Sequence, residues 1–126
     1  MLYSILISGP EDRVADWTPD ETAAVLDRHA QLRAELQAEG RLGPVLRLAP
    51  AATSTTRITG APLVVSDGPF AETKEQLMGI YVVDCATRAD AEAVARRLAF
   101  DGASFELRPI DWFDPGSVAA RIEPPT

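Results

Sequence analysis

The chain has 126 residues and a formal net charge of −7, a length that favours a single domain. This acidity argues against a nucleic-acid-binding surface, and no apolar run approaches the roughly 20 residues of a membrane span. The single cysteine, Cys85, forms no disulfide within the chain, as expected for a reducing compartment, and residues 1–5 lack signal-peptide features. We therefore predict a cytoplasmic protein that binds neither nucleic acid nor membrane.

The first half of the chain predicts one strand and one helix. Residues 2–7 alternate like a strand that Gly9-Pro10 ends, and the polar residues 11–18 are interpreted as a loop. Thr18 precedes a proline and stands three residues before Glu21, which predicts a capped helix that ends at Gly40. The apolar stripe of this helix contains Val25, Leu26, His29, Leu32 and Leu36.

The second half predicts strands over residues 44–49, 53–59, 63–65, 79–85 and 103–110, with a second helix after Thr87. The order is β-α-β-β(-β)-β-α-β, or a β-α-β-β-α-β core with one added hairpin. We predict an α+β, ferredoxin-like sandwich with an extra hairpin. Two helices would cover one sheet face, and a homodimer would cover the other.

The segment Asp67-Gly68-Pro69-Phe70-Ala71-Glu72-Thr73-Lys74-Glu75-Gln76 is the most unusual in the chain. Its first three residues have turn chemistry, and the polar residues that follow are of types that line binding pockets. The alternative is a surface turn anchored in the core by Phe70. Residue types alone favour the surface turn.

Four further residues have two interpretations each. His29 is either a core residue with a satisfied hydrogen bond or a general acid/base in a partly dry cleft, and residue types favour the core. Arg57 and Arg108 either hold a ligand carboxylate or face water. Tyr81 either donates its hydroxyl to a ligand or is a core residue with a hydrated tip.

Three segments together resemble a known family. Residues 52–57, the loop through Leu77, and Glu106-Leu107-Arg108-Pro109 resemble the DGPFAETKE subgroup of the YCII-related proteins. The resemblance implies a ferredoxin-like domain over residues 1–111 that pairs into a dimeric α+β barrel with a cleft in each half. Residues 112–126 would form a C-terminal extension.

The resemblance also implies a set of site residues. His29 is similar in position to a helix-one histidine proposed for acid/base chemistry in the wider group. The resemblance does not place its carboxylate partner, for which Asp67 and Glu72 are the candidates. Ligand binding would involve Arg57, Phe70, Thr73, Lys74, Tyr81 and Arg108. One histidine and one cysteine argue against a zinc site, so we expect no metal and no cofactor, although a carboxylate-bound metal stays open.

Three functions remain open at this point. The first is a lyase or isomerase that acts on a small molecule in the dimer cleft. The second is a non-catalytic ligand-binding or regulatory accessory protein, because genes of the subgroup often lie beside those of sigma factors. The third is an interaction module in which the loop is only architectural.

Overall fold

A computed structural model of the chain describes residues 1–50, 53–57, 64–67 and 75–121. The elements are β1 (Leu2–Pro10), α1 (Glu11–Ala15), α2 (Pro19–Ala38), β2 (Leu42–Arg47), β3 (Ser54–Arg57), β4 (Val64–Asp67), β5 (Glu75–Asp84), α3 (Arg88–Arg97) and β6 (Ser104–Pro109).

Four strands form one antiparallel sheet in the order β2-β5-β1-β6. The helix α2 connects β1 to β2, and α3 connects β5 to β6. Strands β3 and β4 pair with each other in a separate two-stranded sheet, with Ser54 opposite Asp67. The predicted α+β class is therefore confirmed, and the strand order is compatible with the ferredoxin-like interpretation.

One face of the four-stranded sheet packs against the helices. Alternation in β1 buries Tyr3, Ile5 and Ile7, and β5 contributes Tyr81 and Val83 to the same cluster. The helices add Leu32, Leu36, Ala91, Val94, Ala95 and Leu98. The core is thus a single layer between α2, α3 and the sheet.

The long helix α2 begins as the sequence predicts. The side chain of Thr18 accepts a hydrogen bond from the backbone of Glu21, whose carboxylate reaches back to the backbone of Thr18, so the capping box is confirmed. The chain leaves the helix through Gly40, whose φ of 69° lies in the left-handed region that glycine tolerates.

The predicted apolar stripe of α2 is wrong at one position. Leu32 and Leu36 are buried, whereas Leu26 is 50% exposed. At 100° per residue, Leu26 lies roughly a quarter turn from the line through Val25, Leu32 and Leu36. Leu26 therefore belongs to a flank of the helix and not to its buried stripe.

Two other predictions about local structure are wrong. Residues 11–18 are not all loop, because α1 starts directly after Pro10 with Glu11 and Asp12 in its first turn, where acidic side chains favour a helix. Strand β5 begins at Glu75 and not at residue 79, because β1 continues to Pro10 and pairs with it there. A bulge after Ile7 accommodates this extension.

The second face of the four-stranded sheet is covered by neither α2 nor α3. Successive residues of a strand face opposite sides of the sheet, whereas paired residues of neighbouring strands face the same side. Leu46, Ile80 and Leu6 are paired across three strands and form a row on this face. The next row, with Val45 and Tyr81, faces the core. Leu46 is 43% exposed. Glu106 of β6 pairs with Leu6 and continues the row of Leu46, so the face is apolar across β2, β5 and β1 and charged at β6. This open apolar face is the surface that the sequence predicts to be covered by a second copy.

Replacing Thr18 with alanine should lower the free energy of unfolding by about 1 kcal/mol, because the backbone N–H of Glu21 loses its acceptor. Urea denaturation measures the change. Thr22→Ala is the matched control, since Thr22 is an exposed residue inside the same helix. Equal stability losses in both variants would contradict the role of the cap.

Candidate functional site

The only histidine of the chain lies against the buried tyrosine of the central strand β5. The ring nitrogen Nδ1 of His29 is 2.7 Å from the hydroxyl oxygen of Tyr81, a hydrogen-bonding distance. The two ring centroids are 5.7 Å apart and the ring planes are tilted by 43°. His29 is half-buried, whereas Tyr81 is 2% exposed. The structure therefore brings together two of the residues that the sequence singled out.

The environment of His29 favours its neutral form. Burial lowers the pKa of His29 below its ordinary value, because a charged imidazolium is poorly solvated there. The positive charges of Arg33 and Arg28 lower the pKa further. At neutral pH the ring is therefore an uncharged imidazole, the form that both donates and accepts one proton.

The hydroxyl of Tyr81 stays protonated in this environment. Burial raises the pKa of Tyr81, and the hydrogen bonding and positive charge of Arg33 act in the opposite direction. A guanidinium only donates, so Arg33 offers no acceptor for the hydroxyl hydrogen. We conclude that the hydroxyl of Tyr81 donates to Nδ1 of His29, which leaves the imidazole hydrogen on Nε2.

Sequence reasoning missed Arg33. Its signal was present, because residue i+4 lies one helical turn beyond residue i on the same side of a helix, and Arg33 follows His29 by four. The sequence does not show that Tyr81, on the distant strand β5, packs against the turn of α2 that carries His29 and Arg33. The site is consequently a cluster of His29, Tyr81 and Arg33, which we call the His29 cluster.

The His29 cluster lies on the side of α2 that α3 leaves uncovered. The helix α3 packs along the opposite flank, where Arg97 forms an ion pair with Glu35. On a helical wheel, Arg33 and the exposed Leu26 lie on one flank of the buried stripe and Glu35 lies on the other. The stripe between them faces the core.

Two surface grooves in the described structure lie elsewhere. One, of about 480 Å³, is lined by residues of α2 and α3 that include Glu35 and Arg97. The other, of about 560 Å³, is lined by residues that include Trp17, Val25, Arg28 and Phe100. Neither groove is lined by His29 or Tyr81. Each groove contains a residue next to a member of the cluster: Leu32 in the first precedes Arg33, and Arg28 in the second precedes His29.

Of the remaining predicted site residues, the side chain of Arg108 alone belongs to the described part of the chain, and it lies away from this cluster. Arg108 is exposed on β6 and alternates with the core-facing Leu107, so it lies on the sheet face opposite Tyr81. The backbones of Arg57 and Asp67 lie in β3 and β4, and their side chains are outside the described part. Phe70, Glu72, Thr73 and Lys74 lie wholly outside the described residues, backbone included.

The described residues contain no group of three or more His, Cys, Asp or Glu residues arranged to hold a metal ion. Within the same residues, no helix has both the length and the apolar character needed to cross a membrane.

Comparison with known proteins gives the family. A model of the YCII-related domain matches residues 1–113. The chain is also 38% identical over 122 residues to an uncharacterised protein of Rhizobium meliloti (strain 1021), an alignment that covers 94% of this chain and 98% of that protein. The chain therefore belongs to the YCII-related family. The relative's name assigns no reaction.

The pKa of His29 should be below 6.5, and the variant Arg33→Gln should raise it, because one of the positive charges that oppose protonation is removed. The chain has one histidine, so a single imidazole Hε1 signal in a proton NMR pH titration reports this value directly. Arg96→Gln is the control, since Arg96 is exposed on α3. A pKa at or above 6.5 in the unmodified protein would refute the described environment.

Proposed function

We propose that the chain catalyses proton transfer on a small carbonyl compound, as an isomerase or lyase, at the His29 cluster. The observation that carries this proposal is the 2.7 Å contact between His29 and the hydroxyl of Tyr81 in a half-buried position. A ring nitrogen of a half-buried histidine that no protein group bonds is available to a ligand. Nε2 of His29 has no hydrogen-bond partner in the described part of the chain.

The proposed chemistry follows from the neutral imidazole. With Nδ1 occupied by Tyr81, the Nε2–H of His29 donates to a substrate carbonyl oxygen and stabilises the enolate that forms when a neighbouring carbon loses its proton. A neutral imidazole suits this task, because its Nε2–H can be shared with the oxygen that becomes negative, and the ring need not be protonated beforehand. Tyr81 positions the ring and selects its tautomer.

The base in this proposal is a carboxylate of the loop, Asp67 or Glu72. The motivation is the resemblance to the DGPFAETKE subgroup, in which this loop is the most specific feature. The carboxylates are the one component of the mechanism that lies outside the described side chains.

The proposed active unit is a homodimer of ferredoxin-like domains that close into an α+β barrel, with residues 112–126 as an extension. The open apolar face with Leu6, Leu46 and Ile80 supports it, because an apolar sheet face is stabilised when another layer covers it. The single cysteine supports a cytoplasmic location for this dimer.

A second candidate function is binding without catalysis, in a regulatory accessory protein of sigma-factor signalling. The observation that favours it is that neither described groove is lined by His29 or Tyr81. A ligand would then be bound in one of these grooves, away from His29, and left unchanged. The two candidates differ in whether a bound carbonyl compound exchanges a proton.

The catalytic proposal predicts that the protein exchanges the α-protons of a small carbonyl compound with solvent. A panel of such compounds is incubated with the protein in heavy water, and proton NMR follows the loss of each α-proton signal. His29→Gln should slow the exchange of an active compound about 100-fold or more, because the glutamine amide can donate a hydrogen bond but cannot transfer a proton to the enolate oxygen. Arg96→Gln should leave the exchange rate unchanged. Equal rates in His29→Gln and the unmodified protein would refute the mechanism.

The dimer proposal predicts a contrast between two leucines of similar exposure. Leu46→Glu, on the open sheet face, should raise the dimer dissociation constant at least tenfold, because a charge is buried at the interface. Leu26→Glu, on the helical side, should leave it unchanged. Sedimentation velocity measures both. A monomeric unmodified protein, or equal behaviour of the two variants, would contradict the proposal.

A further inference from the structure

We propose that the His29 cluster takes an anionic ligand, a small carboxylate, and that Arg33 is the residue that binds its negative charge. This inference rests on the proposed function for the location of the site, and it adds the class of ligand and a residue that neither the sequence motifs nor the family match assigns.

The positive charge of Arg33 is not paired with any carboxylate of the described residues. The chain has 19 acidic and 12 basic residues, so carboxylates are in excess. In the described part of the chain Arg13, Arg41, Arg88 and Arg97 each form an ion pair with a carboxylate. Arg33 has no such partner there, although it is half-buried. A half-buried guanidinium is more stable with a hydrogen-bonded anion beside it.

The position of Arg33 on α2 also supports the inference. Arg33 lies one turn beyond His29, about 6 Å along the helix axis, and its positive charge acts on both His29 and Tyr81. A carboxylate held by the guanidinium therefore lies beside the imidazole. A carbonyl attached to that carboxylate is then within reach of Nε2 of His29, as acid–base catalysis requires.

The flank of α2 that carries Arg33 lies away from α3. The ion pair between Glu35 and Arg97 fixes α3 on the opposite flank, and the exposed Leu26 lies on the same flank as Arg33. Val45 of β2 is the ladder partner of Tyr81 and is half-buried against the core. The apolar side chains nearest to Arg33 on this side are thus Val45, beside Tyr81, and Leu26, about two turns back along α2, and these would meet the non-polar part of a ligand.

These features together define the ligand class as a small carboxylate with an apolar body. Arginine binds a carboxylate with two parallel hydrogen bonds, which an amide of the same shape does not reproduce. Arg28 adds positive charge on the other side of His29, but its guanidinium donates to the carbonyl oxygen of Ala99 at 2.8 Å. Among the described side chains around His29, Arg33 is therefore the cation that is bonded to neither a carboxylate nor a backbone carbonyl oxygen.

Benzoate is a suitable probe, because it is a carboxylate with an apolar ring and no exchangeable α-proton, so its binding is independent of any catalysis. Benzoate is titrated into the protein at constant ionic strength while the single Hε1 signal of His29 is followed by NMR. We expect a saturable shift of this signal and none with benzamide. Arg33→Gln should weaken benzoate binding about tenfold or more, and Arg33→Lys should weaken it less. Arg96→Gln should leave the affinity unchanged.

Each outcome has a definite meaning. Benzoate binding that depends on Arg33 supports the inference even if His29→Gln leaves proton exchange unaffected, in which case only the catalytic proposal fails. No saturable shift, an equal shift with benzamide, or equal affinities in Arg33→Gln and Arg96→Gln would overturn the inference, whatever the exchange experiment shows. Circular dichroism of each variant confirms that the fold is retained.

Discussion

The hydroxyl of a buried tyrosine needs a hydrogen-bond partner, and this requirement organises the helix–sheet layer of the protein. Tyr81 is 2% exposed at the centre of the sheet, where an unpaired hydroxyl would cost about 1–3 kcal/mol. His29 meets the requirement from α2 at 2.7 Å. The contact therefore couples the rotation of α2 about its axis to the register of β5. The same rotation that buries Leu32 and Leu36 places Arg33 beside the tyrosine.

The electrostatic character of the site follows from that placement. Burial and two neighbouring arginines keep His29 uncharged, and the donor-only chemistry of Arg33 assigns the tyrosine hydrogen to Nδ1. A positive site in a chain of net charge −7 is a local exception to the overall composition. The net charge alone suggests that the protein repels anions. The local charge around His29 is nevertheless positive, because Arg28 and Arg33 are its charged neighbours.

Much of the fold was predictable from the sequence, because it depends on local signals. The capping residues Thr18 and Thr87, the stop at Gly40 and the alternation of β1 each act within a few residues. The errors arose where a distant partner decides the structure. The early start of β5 depends on pairing between Glu75 and Pro10, which the local turn chemistry of the loop does not reveal.

The candidate site was predictable only in part, for the same reason. His29 and Tyr81 were identified separately, 52 residues apart, and only the packing of α2 on β5 shows that they touch. The tautomer of His29 is the most direct test of this account, and imidazole nitrogen NMR at pH 7 measures it. The account predicts an uncharged ring with its hydrogen on Nε2 and Nδ1 as the acceptor. A hydrogen on Nδ1, or a charged ring, would contradict it.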